Sequence, residues 1–267
     1  MSGFEDYHNK AQSPAKVYHK WSGGAKENIT LPDGGTAVKL RGELNHWDAQ
    51  ANEKVVSKLP FKFAVLEQTK RITGFAPSSN GPSTRYYSNE AVEFNDILKV
   101  YRKVGENPAE VVAEGEYSKI KLNLPQGARL ASVLYGYNPD TEQIEVITLQ
   151  GASLSSFIEF SKANKIYTGY ITIEEGEKKT NGSVEYVPPV FKMAENYTDA
   201  DMDLLRGKSS EVKAYLNEVK SKNMHSNTVG DLAEALNVEV PEGVQEPAQP
   251  AEDNNDNNNI LFSDIPF

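Results

Sequence analysis

The chain has 267 residues, with 38 Asp and Glu, 28 Lys and Arg, and no Cys. The absence of Cys excludes disulfide scaffolds, thiol catalysis, iron–sulfur clusters and Cys-ligated zinc. The sequence contains no apolar run of the ~18 residues that a membrane-spanning helix needs, and no signal-peptide stretch follows Met1. We therefore expect a soluble, cytoplasmic protein of one large domain or two small ones.

The acidic charge is concentrated at one end of the chain. The net charge is −10, and residues 239–267 hold seven acidic residues but no Lys or Arg. Residues 1–104 hold 15 basic and 11 acidic residues. An acidic composition usually argues against a nucleic-acid partner, but this distribution leaves the first part of the chain mildly basic.

Composition divides the chain into four regions. Residues 1–34 are polar and Gly-rich, which predicts a flexible arm. Residues 35–192 predict a β-rich domain, and residues 193–238 predict a helical extension. Residues 239–267, rich in Pro, Gln and Asn, predict a disordered acidic tail because they have little apolar surface to bury.

The region 35–192 reads as many short strands with one helix. Apolar residues recur at helical spacing over 153–162, which predicts an amphipathic helix. Turn sequences at 138–141 and 179–182 each indicate a hairpin. We expect a mainly β fold, an OB-fold-like, partly open antiparallel barrel with extra strands and long loops. The predicted strands are 37–44, 61–66, 71–75, 84–88, 98–104, 117–124, 130–137, 143–149, 166–174 and 183–190.

The helical extension predicts two helices, at 199–206 and 211–220. Thr198 is the candidate N-cap of the first, and Ser209 or Ser210 the candidate N-cap of the second, because their hydroxyls can accept hydrogen bonds from the first free backbone N–H groups.

The tail ends in an abrupt apolar segment, Asn259-Ile-Leu-Phe-Ser-Asp-Ile-Pro-Phe267. Two interpretations stand: the segment folds back on the body, or it is a tethered peptide ligand. As a ligand it would offer an aromatic anchor, a terminal carboxylate and nearby acids to a basic-rimmed apolar pocket on a partner.

With Asp264-Ile-Pro-Phe267 behind an acidic Pro/Gln/Asn-rich linker and a β-rich body, the chain resembles the bacterial and phage single-stranded DNA-binding proteins. The resemblance implies an OB-fold body that coats single-stranded DNA. It also implies that a tip of Asp264, Ile265, Pro266 and Phe267 docks replication, recombination or repair enzymes. The family tip usually carries several consecutive acids, whereas here only Asp264 is adjacent, and the body is longer. These departures point to a divergent phage version.

Binding of single-stranded DNA requires a positively charged groove and aromatic faces on which bases stack. Residues 53–103 hold nine basic and five acidic residues, interleaved with aromatic ones. Because Tyr86 and Tyr87 are adjacent, a strand would point one inward and the other outward. The candidate DNA-binding residues are Trp47, Lys62, Lys70, Arg71, Arg85, Tyr86, Tyr87, Tyr101, Arg102 and Lys103.

Plainer interpretations stand beside these. Tyr101 also fits a core position, Lys103 an ordinary solvated strand face, and Trp47 a core plug. Enzyme motifs such as a phosphate-binding loop or Gly-x-Ser-x-Gly are missing, and His46-Trp-Asp48 has no second cluster of metal ligands. We expect no catalysis, no cofactor and no metal. The alternative function is a non-catalytic structural or assembly protein, such as a virion component, with an acidic tail.

Overall fold

The computed structural model describes residues 13–30, 35–78 and 81–225. The predicted mainly β class and the C-terminal helix are both confirmed. No helix in these ranges combines the length and the apolar character needed to cross a membrane. The strands are β1 Val17–Thr30, β2 Thr36–Asp48, β3 Glu53–Val56, β4 Phe61–Ala76, β5 Thr84–Ser88, β6 Ile97–Val104, β7 Glu110–Glu116, β8 Ala128–Asn138, β9 Gln143–Gln150, β10 Gly169–Glu175, β11 Lys179–Asn181, β12 Val184–Tyr186 and β13 Pro189–Asn196; the helices are α1 Tyr117–Ile120, α2 Ala152–Ala163 and α3 Asp199–His225.

The main sheet has the strand order β3-β2-β1-β9-β8-β4-β5-β6-β7. Neighbours are antiparallel except β1 and β9, which are parallel. The long strand β4 pairs with β8 over most of its length, with β10 near its start and with β5 near its end. The parallel pair makes this a mixed sheet. Within the described ranges β3 and β7 lie at the two ends of the path, and the sheet does not close into a barrel.

Strand β1 falls in the region that we predicted as a flexible arm. Residues 17–20 pair with β9, and the remainder of the strand pairs with β2. The buried His19 places Nε2 2.7 Å from an Oε atom of Glu145 on β9. Burial would raise the pKa of Glu145, but hydrogen bonds from His19, Thr141 and Asn138 lower it below its ordinary value. His19 is one of the polar residues that suggested an arm, and its side chain is hydrogen-bonded to a residue 126 positions away in the chain.

Helices pack on both faces of the sheet. Helix α2 lies on one face, where Leu154, Phe157 and Ile158 join a cluster that includes Leu134 of β8 and Ile147 of β9. Helix α3 lies on the opposite face, where its buried residues Leu205, Val212 and Leu216 contact β8 and β9 residues that include Tyr135 and Val146.

Helix α3 is one continuous helix where we predicted two. Gly207, Ser209 and Ser210 lower helix propensity, but packing of the apolar stripe on the sheet carries the helix across them. Its start agrees with the prediction: the Thr198 hydroxyl accepts from the Asp201 N–H, and the Asp201 carboxylate accepts from the Thr198 N–H. This reciprocal pair is a capping box.

Further elements differ from the prediction. The segment 117–124, predicted as a strand, forms α1 and a 3-10 turn, because its packed residues Tyr117, Ile120 and Leu124 repeat at helical spacing. Strands β3 and β7 were not predicted. The Asn181-Gly182 turn joins the short strands β11 and β12, whereas β10 pairs with β13.

Candidate nucleic-acid interface

Strand register places several of the candidate residues on one face of the sheet. Directly opposed residues of neighbouring strands point to the same side, as do residues two apart on one strand. Phe75, Arg85 and Lys103 are opposed across β4, β5 and β6, and Thr73, Tyr87 and Tyr101 form the adjacent row. We call the open part of this side the basic face. Its main residues are Lys20, Arg71, Phe75, Arg85, Tyr87, Lys99, Lys103 and Arg129.

Helix α3 covers the other half of the same side. On β8, Val133, Tyr135 and Tyr137 lie in the cluster that receives α3. Two and four residues before Val133, the same side of β8 carries Ala131 and the exposed Arg129. The helix therefore forms a wall along one border of the basic face.

Aromatic rings lie in the middle of this face. Phe75 is 46% exposed, which leaves its ring accessible to a base. Tyr87 is half-buried and stacks on Tyr101 with ring centroids 5.4 Å apart and planes 17° apart. Burial raises the pKa of Tyr87, so its hydroxyl stays protonated at neutral pH. Phe75 and Tyr87 are therefore the partly exposed rings at the centre of this face.

Cations surround these rings. Arg85 is exposed and Lys103 half-buried, and neither has a carboxylate within ion-pair distance in the described part of the chain. Arg71 donates from Nη2 to the Thr148 hydroxyl at 3.1 Å. Its Nη1 lies 3.9 Å from Glu90, which places this guanidinium at the border with α3. Unpaired or weakly paired cations beside accessible rings are the arrangement that binds a nucleic-acid strand through phosphates and bases together.

Trp47 lies on the same side of the sheet but far from the rings. The register of β2, β1 and β9 sets Trp47 two residues from Asn45, which opposes Lys20. Trp47 is half-buried and opposes Lys54 of β3. Six strand steps separate β2 from β6, or about 29 Å at ~4.8 Å per step.

Five candidate residues lie outside the basic face or have no accessible surface on it. Tyr86 and Arg102 point to the opposite side of the sheet; Tyr86 is 8% exposed, and Arg102 forms an ion pair with Glu110. Lys70 also points to the opposite side and is 1% exposed. Burial lowers its pKa to about 7. We therefore remove these residues from the proposed contact set.

The other two are accounted for by neighbours. Tyr101 shares the side of the basic face but is 1% exposed, so it supports Tyr87 and offers no ring of its own. Lys62 pairs with Glu195, and its Nζ lies 4.6 Å from the centre of the Tyr170 ring. This places Lys62 near the start of α3, on the far side of the covered half.

Four residues of the basic face were not among the candidate residues: Lys20, Phe75, Lys99 and Arg129. The sequence showed that Lys99 recurs at two-residue spacing with Tyr101 and Lys103. It also showed that Arg71 and Phe75 are four residues apart, which places both on one side of a strand. Lys20 and Arg129 had no such signal, because only the pairing of β1 with β9 and of β8 with β4 brings them to this side. The tip residues Asp264, Ile265, Pro266 and Phe267 lie outside the described residues.

The comparisons with known proteins leave these features to be interpreted from physical chemistry alone. No protein-family model, no curated protein and no solved structure matches this chain. In the described ranges, no group of three or more His, Asp or Glu side chains is placed to hold a metal ion.

Proposed function

We propose that this protein binds single-stranded DNA on the basic face and recruits partner enzymes through its C-terminal tip. The observation that carries the proposal is the convergence of Phe75 and Tyr87 with Arg85, Lys103 and Arg71 on one open side of the sheet. Cations there would neutralise phosphates, and the rings would stack on unpaired bases. Duplex DNA would lose the stacking contribution, because its bases are already paired.

The dimensions of the face suit a short stretch of nucleotides. The path from Lys103 on β6 to Trp47 on β2 spans about 29 Å, and a stacked strand advances ~3.4 Å per nucleotide. About eight stacked nucleotides, or fewer if the strand is extended, would cover this distance. That number falls within the range of roughly 4–16 nucleotides for single-strand-binding folds.

The charge distribution is consistent with two functions in two parts of the chain, DNA binding on the basic face and partner docking at the tail. Residues 239–267 carry seven of the acidic residues and no basic one, so the tail repels DNA while the basic face attracts it. The Asp-Ile-Pro-Phe terminus resembles the docking tip of single-stranded DNA-binding proteins. We infer that the protein acts in replication, recombination or repair, in a bacterial or phage-infected cytoplasm, without catalysis.

A DNA titration tests the proposal. Fluorescence anisotropy of a labelled single-stranded oligonucleotide, measured at about 50 mM and about 200 mM salt, should show an affinity that falls steeply with salt. Unlabelled duplex should compete poorly. Equal affinity for duplex and single strand, or the absence of a salt dependence, would contradict the proposal and leave the assembly-protein alternative standing.

A separate experiment tests the tip. Removal of Phe267 should abolish capture of tip-binding replication or recombination enzymes, because the terminal aromatic ring and carboxylate form the anchor. It should leave the DNA titration unchanged. Loss of DNA binding with partner capture intact would show that the two functions are assigned to the wrong parts of the chain.

A further inference from the structure

Arg71 is a cation of the basic face that lies near an internal carboxylate. Its Nη1 is 3.9 Å from an Oε atom of Glu90, and the two side chains are 21% and 9% exposed. Arg71 Nε is buried without a hydrogen-bond partner among the described residues. Within the described part of the chain, the hydrogen bonds of this guanidinium are therefore incomplete.

Glu90 is held in place from its other side. Its Oε2 accepts a hydrogen bond from the Thr69 hydroxyl at 2.6 Å and one from the Tyr135 hydroxyl at 3.1 Å. Burial, and secondarily the charge of Glu90, raises the pKa of Tyr135 well above its ordinary value, so this phenol remains a donor. The Glu90 carboxylate is thus a fixed anion at the border of the basic face.

The loop that carries Glu90 is also fastened to α3. Lys220 near the end of the helix lies 2.7 Å from Asp96 and 3.8 Å from Glu93. Tyr215 of the same helix packs against Tyr135, with ring centroids 6.3 Å apart. The position of Glu90 relative to Arg71 is therefore set by the helix as well as by the strands.

We propose that Glu90 is a built-in competitor for nucleic-acid phosphate at Arg71. This inference rests on the proposed function and concerns the regulation of that site. Without DNA, the carboxylate partly neutralises the guanidinium. A phosphate that approaches Arg71 has to compete with this attraction and is also repelled by the carboxylate. Glu90 therefore weakens the binding of phosphate at Arg71.

The test is the isosteric change Glu90→Gln, which keeps an oxygen for Thr69 and Tyr135 but removes the charge. Affinity for a single-stranded oligonucleotide should rise by roughly fivefold at low salt, the upper end of what a single weak ion pair contributes. The slope of log K against log salt should steepen by about 0.7, because one more phosphate is neutralised. In an Arg71→Gln background the same change should have a much smaller effect.

Glu93→Gln is the matched control, because it removes one charge from the same loop at a position beside Lys220. Glu90→Asp keeps the charge and should bind like the native protein; a gain in this variant would mean that loosening of the site, and not charge, is responsible. If Glu90→Gln is poorly folded by thermal melting, Glu90→Ser provides the neutral variant, with the same gain expected.

The outcomes separate the two proposals. Failure of the native protein to bind single-stranded DNA would reject the proposed function. Native binding with no gain in the neutral variants, an equal gain in Glu93→Gln, or a full gain without Arg71 would reject only the role of Glu90.

Discussion

The two halves of one side of the sheet differ although the same strands build both. Under α3, strands β8 and β9 present Val133, Tyr135 and Val146, all buried. Beyond the helix, the next residues on the same side are Ala131 and Arg129 on β8 and Thr148 and Gln150 on β9. Apart from the buried Ala131, the residues change from apolar to polar where the helix stops covering them.

This difference shows how one sheet can supply both a core and an open, cationic surface. The covered half gains its free energy by removing apolar area from water. The open half cannot do so and instead keeps cations and partly exposed rings, which contribute little to folding. Substitutions in the two halves should therefore separate stability from DNA binding.

The largest effect is expected in the covered half. Leu216→Ala removes a buried side chain between α3 and the sheet and should lower the free energy of unfolding by about 2–5 kcal/mol. Chemical denaturation measures this change. The DNA affinity of this variant, measured well below its melting temperature, should equal that of the native protein. Met202→Ala, at a 46% exposed position of the same helix, should change stability by less than about 0.5 kcal/mol.

A second effect concerns a cation that faces the interior. Burial lowers the pKa of Lys70 from 10.5 to about 7. Between these two pH values the Lys70 amine is therefore protonated in the unfolded chain but mostly neutral in the folded protein. Stability should therefore rise as pH increases from about 7 toward about 10.

Lys70→Met should flatten this rise and increase stability near pH 7 by up to about 4 kcal/mol. Denaturation curves at several pH values check both statements. Single-strand affinity should not change, although a basic residue is lost. Weakened DNA binding in a stable Lys70→Met protein would return this residue to the contact set.

In the open half, the rings should matter for binding. Phe75→Ala should cost about 1–3 kcal/mol of single-strand affinity with little change in stability, because the ring is 46% exposed. Tyr87→Ala should lose affinity and also some stability, since Tyr87 stacks on Tyr101.

Tyr87→Phe is the matched control for the second ring. It keeps the ring and removes a buried hydroxyl that has no hydrogen-bond partner among the described residues. It should bind DNA like the native protein and be at least as stable. Anisotropy titrations and thermal melts of the three variants would contradict the stacking assignment if only stability changed.

The smallest effect is a change in the salt slope. Arg85→Ala and Lys103→Ala should each reduce the slope by about 0.7 if each neutralises one phosphate. Arg206→Ala, on the exposed side of α3 where Arg206 pairs with Asp203, should leave the slope unchanged. Equal slopes in all three variants would place the DNA elsewhere on the molecule.

The sequence alone determined the elements that depend on neighbouring residues. The β8–β9 hairpin, the amphipathic helix α2, the capping box at Thr198 and Asp201 and the turn at Asn181-Gly182 all follow from short-range patterns. The opposite orientation of Tyr86 and Tyr87 follows equally from the two-residue period of a strand. These features need only local hydrogen bonding and side-chain alternation.

Only the tertiary structure decided which residues share a surface. Lys70 and Arg71 are adjacent basic residues that the sequence does not distinguish. Lys70 is 1% exposed on the α2 side of the sheet, whereas Arg71 borders the basic face on the other side. Lys20 reaches this face because β1 pairs in parallel with β9, which brings together strands that are more than a hundred residues apart in the chain. Alternation specifies two sides of a strand, but which side is buried depends on where α2 and α3 pack, and that is settled by apolar area contributed from distant segments.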